Sequence, residues 1–202
     1  DEVASLLFRV FEERGWLAPT NGKDAPCPKA YQSDARGMLL GEGGVALVVE
    51  RAEKAKERGA VPLARIAGHC VTSEARLFPQ EPSSRKWHEE AMRLSMERAY
   101  ISSDSIDLVY GHGRGVPKQD AAELAAIAAT FGSHRPAFGC LSGSTGVAAA
   151  TSGMYSVAAS LLNLQHGELF PLVGTDSDIP GGFLYPKQHR KKMVSNVLIT
   201  GT

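Results

Sequence analysis

The chain has 202 residues, of which 43% are hydrophobic and 22% charged, a composition typical of a soluble globular chain with one or two domains. Lysine plus arginine and aspartate plus glutamate balance at 22 each, so no net charge attracts nucleic acid. No apolar run reaches the roughly 18 residues of a membrane helix, and the acidic, amphipathic N-terminal stretch is unlike a signal peptide. Three widely spaced cysteines (Cys27, Cys70 and Cys140) form neither a CxxC pair nor a zinc pattern. We therefore expect a cytoplasmic protein that binds no nucleic acid, membrane or metal.

Predicted helices and strands alternate along the first half of the chain. The apolar stripe of residues 1–15 indicates a helix that ends at Gly15, and the proline-rich residues that follow indicate a loop. The run "GVALVVE" predicts a buried strand because it is continuously apolar and rich in β-branched residues. The further predictions are a polar helix ending at Gly59, a strand "PLARIAGHCVTS" at 62–73, and a helix over 84–100 with Ser83 or Ser84 as its cap and Trp87, Ala91, Leu94 and Ala99 on its apolar face.

The second half continues the alternation and predicts an α/β layered fold with a parallel or mixed sheet. The stretch "GVAAATSGMYSVAASLLNLQ" at 146–165 is small or apolar nearly all round, so we expect a helix buried on every side. Its N-terminus is either an anion or oxyanion site or only the start of a packing helix, and its position does not decide between the two. The other predicted elements are the strands "SIDLVYGHG", "RPAFGC" and "NVLIT" and a helix over 120–131.

The stretch "YGHGRGVPKQDAAE" at 110–123 places His112 between two glycines, after a β-like run and before an alanine-rich helix. Ligand-binding and catalytic groups of α/β proteins lie at such strand ends. His112 is therefore the main candidate functional residue. The other five histidines (His69, His88, His134, His166 and His189) have no motif context, and the spacing of Asp34 and Glu42 gives no support for an acid/base pair.

Four segments resemble the C-terminal part of β-ketoacyl-acyl carrier protein synthases. They are "YQSDARGMLLGEGGVALVVERAEKAKERGA", "SSDSIDLVYGHGRGVPKQDAAE", "FGCLSGSTGVAAATSG" and "LLNLQHGELFPL", which together cover most of residues 31–172. The family's final glycine-rich loop is clearly matched only at Ser195 and Asn196. The resemblance implies the C-terminal half of a thiolase-like fold, a layered α/β/α arrangement with a mixed sheet. It also implies three segments: 1–30, the end of the N-terminal half; 31–75, a strand–helix–strand unit; and 76–202, the C-terminal half.

The resemblance implies a degenerate active site. Working members of the family use a cysteine nucleophile in the N-terminal half, two histidines and a lysine. His112 falls at the first histidine, but Val147 falls at the second and Ser142 at the lysine. Arg114 and Val116 replace two threonines where, with Gly146, the pantetheine arm approaches in relatives. Because valine neither donates to an oxyanion nor moves a proton, we expect His112 to be a retained pocket residue rather than a working catalyst.

Three hypotheses about function follow from this resemblance. The first is a non-catalytic, chain-length-factor-type subunit of a type II polyketide or fatty-acid synthase, which shapes the acyl tunnel of an active ketosynthase. The second is a split half of an active condensing enzyme with its cysteine on another polypeptide, and the third is a purely structural scaffold. No cofactor is implied beyond the phosphopantetheine arm of an acyl carrier protein. We expect a heterodimer with the ketosynthase and an obligate assembly, since an isolated half would expose a large apolar face.

The basic run "KQHRKK" contains the candidate docking residues for the acyl carrier protein: Arg190, Lys191 and Lys192. The recognition helix of carrier proteins in this family is typically acidic, so such a patch would attract it. The alternative is a solvated loop, which is the commoner meaning of a charge run.

Overall fold

The computed structural model describes residues 5–19, 29–74, 85–175 and 179–201. The caps predicted at Ser83 and Ser84, the loop around Cys27 and the first residues of the N-terminal helix lie outside these ranges. The helices are α1 (Ser5–Glu13), α2 (Ala52–Glu57), α3 (Arg85–Ala99), α4 (Pro117–Phe131), α5 (Ser142–Thr145) and α6 (Ser152–His166), and the strands are β1 (Leu108–Tyr110), β2 (Ala137–Gly139), β3 (Glu168–Leu169), β4 (Arg190–Lys191) and β5 (Val197–Ile199).

A parallel three-stranded sheet with the order β2-β1-β5 lies at the centre of the described region. Leu108 of β1 pairs with Ala137 on one side and with Val197 on the other. All three strands were predicted from the sequence, and their existence is confirmed. A mixed sheet also contains antiparallel strands. Here the antiparallel pairing occurs in a second, two-stranded sheet formed by β3 and β4.

Helices cover both faces of this sheet, as the layered α/β/α prediction requires. Val109, Phe138 and Leu198 project to one face and belong to a buried cluster that includes residues of α3 and α4. Leu108 and Tyr110 project to the other face and pack in a second cluster with Ala159 of α6. Because both faces are covered, the strands are apolar at nearly every position. The layered arrangement is confirmed.

Helix α4 begins three residues before the predicted start because Pro117 suits the first turn, where its missing N–H has no helical partner. Its buried residues are Leu124, Ala126, Ile127 and Phe131, together with the two acids Asp120 and Glu123. The helix ends at Gly132, whose φ of +56° a larger residue would adopt only with strain. The N-terminal turns therefore carry polar side chains and the C-terminal turns fill the core.

The helix predicted over 146–165 is wrong in its first six residues. Gly146 has φ +69°, and a Cβ there would lie 2.8 Å from the backbone of Gly41, so the chain turns at this point. Helix α6 starts only at Ser152, after a short 3₁₀ turn over Ala149–Thr151. The expectation of burial on every side is also wrong, since the fully buried residues of α6 are Ser156, Ala159, Ser160 and Asn163.

The strands predicted at 44–50 and 62–73 form no β-ladder among the described residues. We call residues 44–50 and 61–71 the exposed apolar segments. Neither contains a strand, and most of their apolar side chains are exposed instead of buried, with Val48 91% and Val71 90% accessible. A β-ladder needs a neighbouring strand for its backbone hydrogen bonds. The sequence pattern is that of buried strands, but the residues that would bury them are not among those described.

The remaining predicted helices are confirmed, but α3 buries a different face from the predicted one. Helix α1 ends before Gly15, and α2 ends before Gly59, both of which have positive φ. In α3 the fully buried residues are Met92 and Met96, rather than the predicted face, because the helix packs against α4 through its methionines. Within the described ranges no helix has the length and apolar content to cross a membrane.

Candidate functional site

The loop 111–116, which follows β1, is held by two buried carboxylates of α4. Asp120 accepts hydrogen bonds from the backbone N–H groups of Arg114 and Gly115, each at 2.9 Å. Glu123 accepts the backbone N–H groups of His112 at 2.9 Å and Gly113 at 3.2 Å. The two acids lie three residues apart, so they project from the same face of α4 towards the loop. These side chains fix the loop together with backbone bonds at its two ends, from Gly111 to Gly139 and from Gly37 to Gly115, each at 2.9 Å.

Tyr31 supports the same loop from a distant part of the sequence. Its backbone N–H donates to Asp120 at 2.9 Å and its hydroxyl donates to Glu123 at 2.7 Å. Tyr31 has φ +61°, a conformation that non-glycine residues adopt only when their surroundings impose it. Its ring fills the space beside Gly111 and Gly113, where an added Cβ would lie 2.2 Å and 2.6 Å from it. The two glycines are therefore required for the tyrosine to pack here.

Burial dominates the ionisation of this cluster. It raises the pKa of Asp120 to about 6, against the lowering effect of the backbone N–H groups of Tyr31, Arg114 and Gly115. Burial also raises the pKa of Tyr31 well above its ordinary value, with the charge of Glu123 acting in the same direction. At neutral pH the phenol is a hydrogen-bond donor and Asp120 is mostly ionised.

His112 lines a small pocket at the end of β1. Burial lowers the pKa of its imidazole to about 4, and the charge of Arg114 acts in the same direction while that of Glu123 opposes it. The ring is therefore neutral at pH 7, with one N–H donor and one acceptor nitrogen. Its position at the strand end agrees with the sequence prediction, and its backbone is fixed by Glu123.

The pocket also brings Ser142 and Gly146 beside His112, together with Thr145, Ser152, Ser156 and Thr200. The enclosed space is about 10 Å³, room for one water-sized group such as a carbonyl oxygen, and it opens to solvent. Of these residues, His112, Ser142 and Gly146 were predicted from the sequence, and the four other hydroxyl residues were not. Thr200 was missed because it enters from β5, and its role depends on a hydrogen bond to Glu123, 77 positions away.

Val147, at the position of the family's second histidine, does not line this pocket. Its side chain is buried, and its backbone bonds with Leu39 at 2.7 Å and with Gly41 at 3.0 Å. An isolated parallel bridge between Leu40 and Val147 holds the segment in place. The valine therefore packs as a core residue and offers no polar group to the site.

Cys140 lies directly beneath the loop but is not an activated thiol. Its sulfur is 3.4 Å from the carbonyl oxygen of His112 and 3.2 Å from the hydroxyl of Ser142. Burial raises the pKa of Cys140 to about 12, although Ser142 acts to lower it. Because the thiolate is the nucleophilic form, this cysteine is inert at neutral pH. Ser142, at the position of the family's lysine, serves as its polar neighbour.

Arg114 and Val116 occupy the outer part of the loop. Burial lowers the pKa of Arg114, while the charges of Glu123 and Asp120 oppose this shift. Arg114 is half-buried, and the charges of both carboxylates of α4 act on its guanidinium. Val116 forms the N-cap of α4 without a side-chain cap bond, so its role is the helix start.

The candidate docking residues lie on and beside β4. Arg190 and Lys191 are exposed and pair with Leu169 and Glu168 of β3. Lys192 is half-buried, and its ammonium donates to the carbonyl oxygen of Asp107 at 3.2 Å. The first two side chains are accessible to a partner, whereas the third is occupied within the fold. In the part of the chain that the structure describes, no cluster of three or more metal-ligating side chains occurs.

Comparison with known proteins gives the class of fold. The solved structure of the ishigamide ketosynthase/chain length factor superposes with a TM-score of 0.87 at 26% identity, over 98% of this chain and 47% of that one. The tetracenomycin polyketide synthase ketoacyl synthase beta subunit of Streptomyces glaucescens is 36% identical over 80% of this chain. The 3-oxoacyl-[acyl-carrier-protein] synthase 1 of Escherichia coli is 32% identical over 87% of it. The fold is therefore the thiolase-like α/β fold of ketosynthases.

Residues 63–176 match the family described as the beta-ketoacyl synthase C-terminal domain. The chain belongs to the β-ketoacyl synthase family. It covers 39% of the Streptomyces protein and 42% of the Escherichia coli protein, so it spans less than half the length of these relatives. The resemblance inferred from the four sequence segments is thus confirmed, and the division at residues 30 and 75 stays a prediction.

Proposed function

We propose that this chain is part of a ketosynthase-like subunit of a type II polyketide or fatty-acid synthase. In this proposal it is a non-catalytic, chain-length-factor-type partner, which shapes the acyl tunnel while an active β-ketoacyl-acyl carrier protein synthase carries out the decarboxylative condensation. The observation that carries the proposal is Val147, buried and held by Leu39 and Gly41 where a second catalytic histidine would stand. The names of the Streptomyces beta subunit and of the ishigamide ketosynthase/chain length factor support it.

A second candidate is a split half of an active condensing enzyme, and His112 favours it. This histidine lines the pocket with a neutral ring, the form that can donate a hydrogen bond to a developing oxyanion. Under this alternative the cysteine nucleophile is supplied by another polypeptide. The two candidates differ in one respect that can be measured, the dependence of the condensation rate on His112.

Replacement of His112 by alanine separates the two candidates. We expect the condensation rate of the assembled synthase to stay within about twofold, because the catalytic groups belong to the partner ketosynthase. A working oxyanion donor or acid/base costs about 10²–10³-fold in rate when removed. The measurement is the single-turnover rate with malonyl and acyl carrier proteins, and a loss of that size would establish the split enzyme. A third possibility, a scaffold, requires that product length be the same with and without the chain.

Partners follow from the same proposal. The active ketosynthase is the expected heterodimer partner, and an acyl carrier protein delivers the chain on its phosphopantetheine arm, which would approach Arg114, Val116 and Gly146. The name of the Escherichia coli relative, an acyl-carrier-protein synthase, supports the carrier. No resident cofactor is proposed. We place the subunit in the cytoplasm, where its free thiols Cys70 and Cys140 remain reduced.

Reversal of two charges on β4 tests carrier-protein docking. We expect Arg190→Glu with Lys191→Glu to weaken carrier binding about tenfold at low salt, with a smaller effect at 0.5 M salt, because exposed charges steer an acidic partner. Binding is measured by fluorescence anisotropy of a labelled carrier protein. The matched control is Arg51→Glu, another exposed cation, which should leave the affinity unchanged. Equal binding of the double variant at low salt would exclude this patch.

A further inference from the structure

The pocket beside His112 is lined mainly by hydroxyl groups. Ser142, Thr145, Ser152, Ser156 and Thr200 contribute to its wall, and of the described residues that line it none other than His112 is titratable. Because the imidazole is neutral at pH 7, the wall itself carries no charge. A pocket of this kind suits a neutral ligand with oxygen atoms.

Most of these hydroxyl hydrogens are already donated within the protein. Thr145 lies 3.0 Å from the carbonyl oxygen of Leu141 and 2.9 Å from that of Gly146. Thr200 donates to the carboxylate of Glu123, which cannot itself donate when ionised. A hydroxyl has only one hydrogen, so these two threonines present lone pairs to the pocket and no donor. Donors for a ligand must come from elsewhere in the wall.

Ser152 and His112 are two groups of the wall that retain donors, whereas the hydroxyl of Ser142 is shared with the thiol of Cys140 at 3.2 Å. The hydroxyl oxygen of Ser152 accepts the backbone N–H of Ala148 at 2.9 Å. Among the described residues this hydroxyl donates to no acceptor, and neither ring nitrogen of His112 has a hydrogen-bond partner. Ala149, in the 3₁₀ turn before α6, has φ +41°, and this strained turn fixes where Ser152 lies. Each of the two residues can thus offer one neutral donor to the same space.

The charges around the pocket disfavour an anionic ligand. One guanidinium, that of Arg114, lies near two carboxylates, those of Asp120 and Glu123, as their mutual effects on the pKa of Arg114 indicate. Asp120 has a pKa of about 6 and is mostly ionised at pH 7.5. The carboxylate of Glu123 accepts the hydroxyl of Thr200, which lines the pocket, so a carboxylate already lies directly behind the wall. Moving a further carboxylate into this space is costly without a cation of its own.

We propose that Ser152 and His112 together bind a neutral carbonyl oxygen of an acyl chain and that the pocket excludes the carboxylate of a malonyl group. Ser152 supplies the second donor that Val147 does not. This inference rests on the proposed function for its ligand class, an acyl or 3-oxoacyl thioester, and it makes Ser152 a specificity-determining residue. It also explains how a ketosynthase-like site accepts a chain without taking part in decarboxylation, since the malonyl carboxylate never enters.

The test is a site-resolved binding titration on the assembled protein. Histidine labelled with ¹³C at Cε1 is introduced into this subunit alone, and the His112 signal is assigned by its loss in His112→Gln. The neutral probe is the acetoacetyl thioester of N-acetylcysteamine and the anionic probe is the malonyl thioester. We expect the neutral probe to shift the His112 signal in a saturable way and Ser152→Ala to weaken its binding about fivefold to tenfold. The malonyl probe should leave the signal unchanged at ten times the concentration.

Two further variants distinguish loss of the Ser152 hydroxyl from a general effect of the substitution. Ser152→Thr keeps the hydroxyl and should restore most of the affinity, whereas Ser144→Ala, which removes an exposed serine of α5, should have no effect. A circular dichroism melt establishes whether Ser152→Ala is folded. If it is not, the contrast between the neutral and malonyl probes on the unmodified chain carries the test. Unchanged affinity in Ser152→Ala, equal binding of the malonyl probe, or no shift with the neutral probe each overturns the inference. If product length still depends on the presence of the chain, any of these results overturns only this inference and not the proposed function.

Discussion

Replacement of Glu123 by alanine is expected to lower the free energy of unfolding by about 3–5 kcal/mol. The carboxylate accepts four hydrogen bonds: from the backbone of His112 and Gly113 and from the hydroxyls of Tyr31 and Thr200. Thr200 can turn to the carbonyl oxygen of Tyr110, but the other three donors are left without an acceptor in a buried space. Each such donor costs about 1–3 kcal/mol, reduced where water enters.

The measurement is the thermal midpoint of the assembled protein, which should fall by about 6–20 °C for a chain of this size. Glu97→Ala is the matched control because Glu97 is an exposed helical acid whose described partner is Arg93 at 2.8 Å, and it should cost less than about 1 kcal/mol. The loss of stability in Glu123→Gln should lie between those of Glu123→Ala and Glu97→Ala. The amide oxygen can still accept hydrogen bonds, but the amide nitrogen would face N–H and O–H donors. A Glu123→Ala protein as stable as the control would show that the loop holds its shape without this carboxylate.

The central sheet was predictable because short stretches of sequence are enough to indicate each of its strands. The runs around Val109, Phe138 and Leu198 are short, apolar and bounded by glycine or polar residues, and their alternation with helices restricts the topology to parallel pairing. The existence and the end of helix α4 were predictable for the same reason, but its start at Pro117 was predicted three residues too late. Boundaries were less certain, because the start of α6 depends on the backbone contact of Gly146 with Gly41, more than one hundred positions apart.

The candidate site was predictable only in part. His112 is marked by its glycine neighbours and its place after a strand, and Ser142 and Val147 follow from the family pattern. Tyr31 reaches Glu123 across 92 positions, and neither composition nor periodicity indicates this contact. Asp120 and Glu123 lie within the second of the four resembling segments, but only the structure shows that they hold the loop by accepting its backbone N–H groups.

The exposed apolar segments carry the second large prediction. A strand pattern indicates that a segment can be buried in a sheet, but this burial needs neighbouring strands. Within the described residues the two segments pair with no strand, although Arg98 of α3 donates to the carbonyl oxygen of His69 at 2.7 Å. Val48, Val71, Val61 and Ile66 are all exposed, and large apolar side chains in contact with solvent at several positions are typical of an interface. The chain spans less than half of its curated relatives, so we propose that the complementary half of the ketosynthase-like fold covers these residues and completes the sheet.

Substitution of Val48 and Val71 by aspartate is therefore expected to weaken assembly at least about 100-fold, because the change places two unpaired carboxylates in an apolar contact. Association is measured by sedimentation velocity over a concentration series, with Lys56→Asp, an exposed change on α2, as the control that should alter affinity less than threefold. Hydrogen exchange gives an independent readout: the backbone N–H groups of 44–50 and 61–71 should become protected on assembly, since strand pairing buries them. If the double aspartate variant assembles as the unmodified chain does and the two segments exchange freely in the complex, these residues are surface rather than interface, and the pocket beside His112 must be complete without the proposed half.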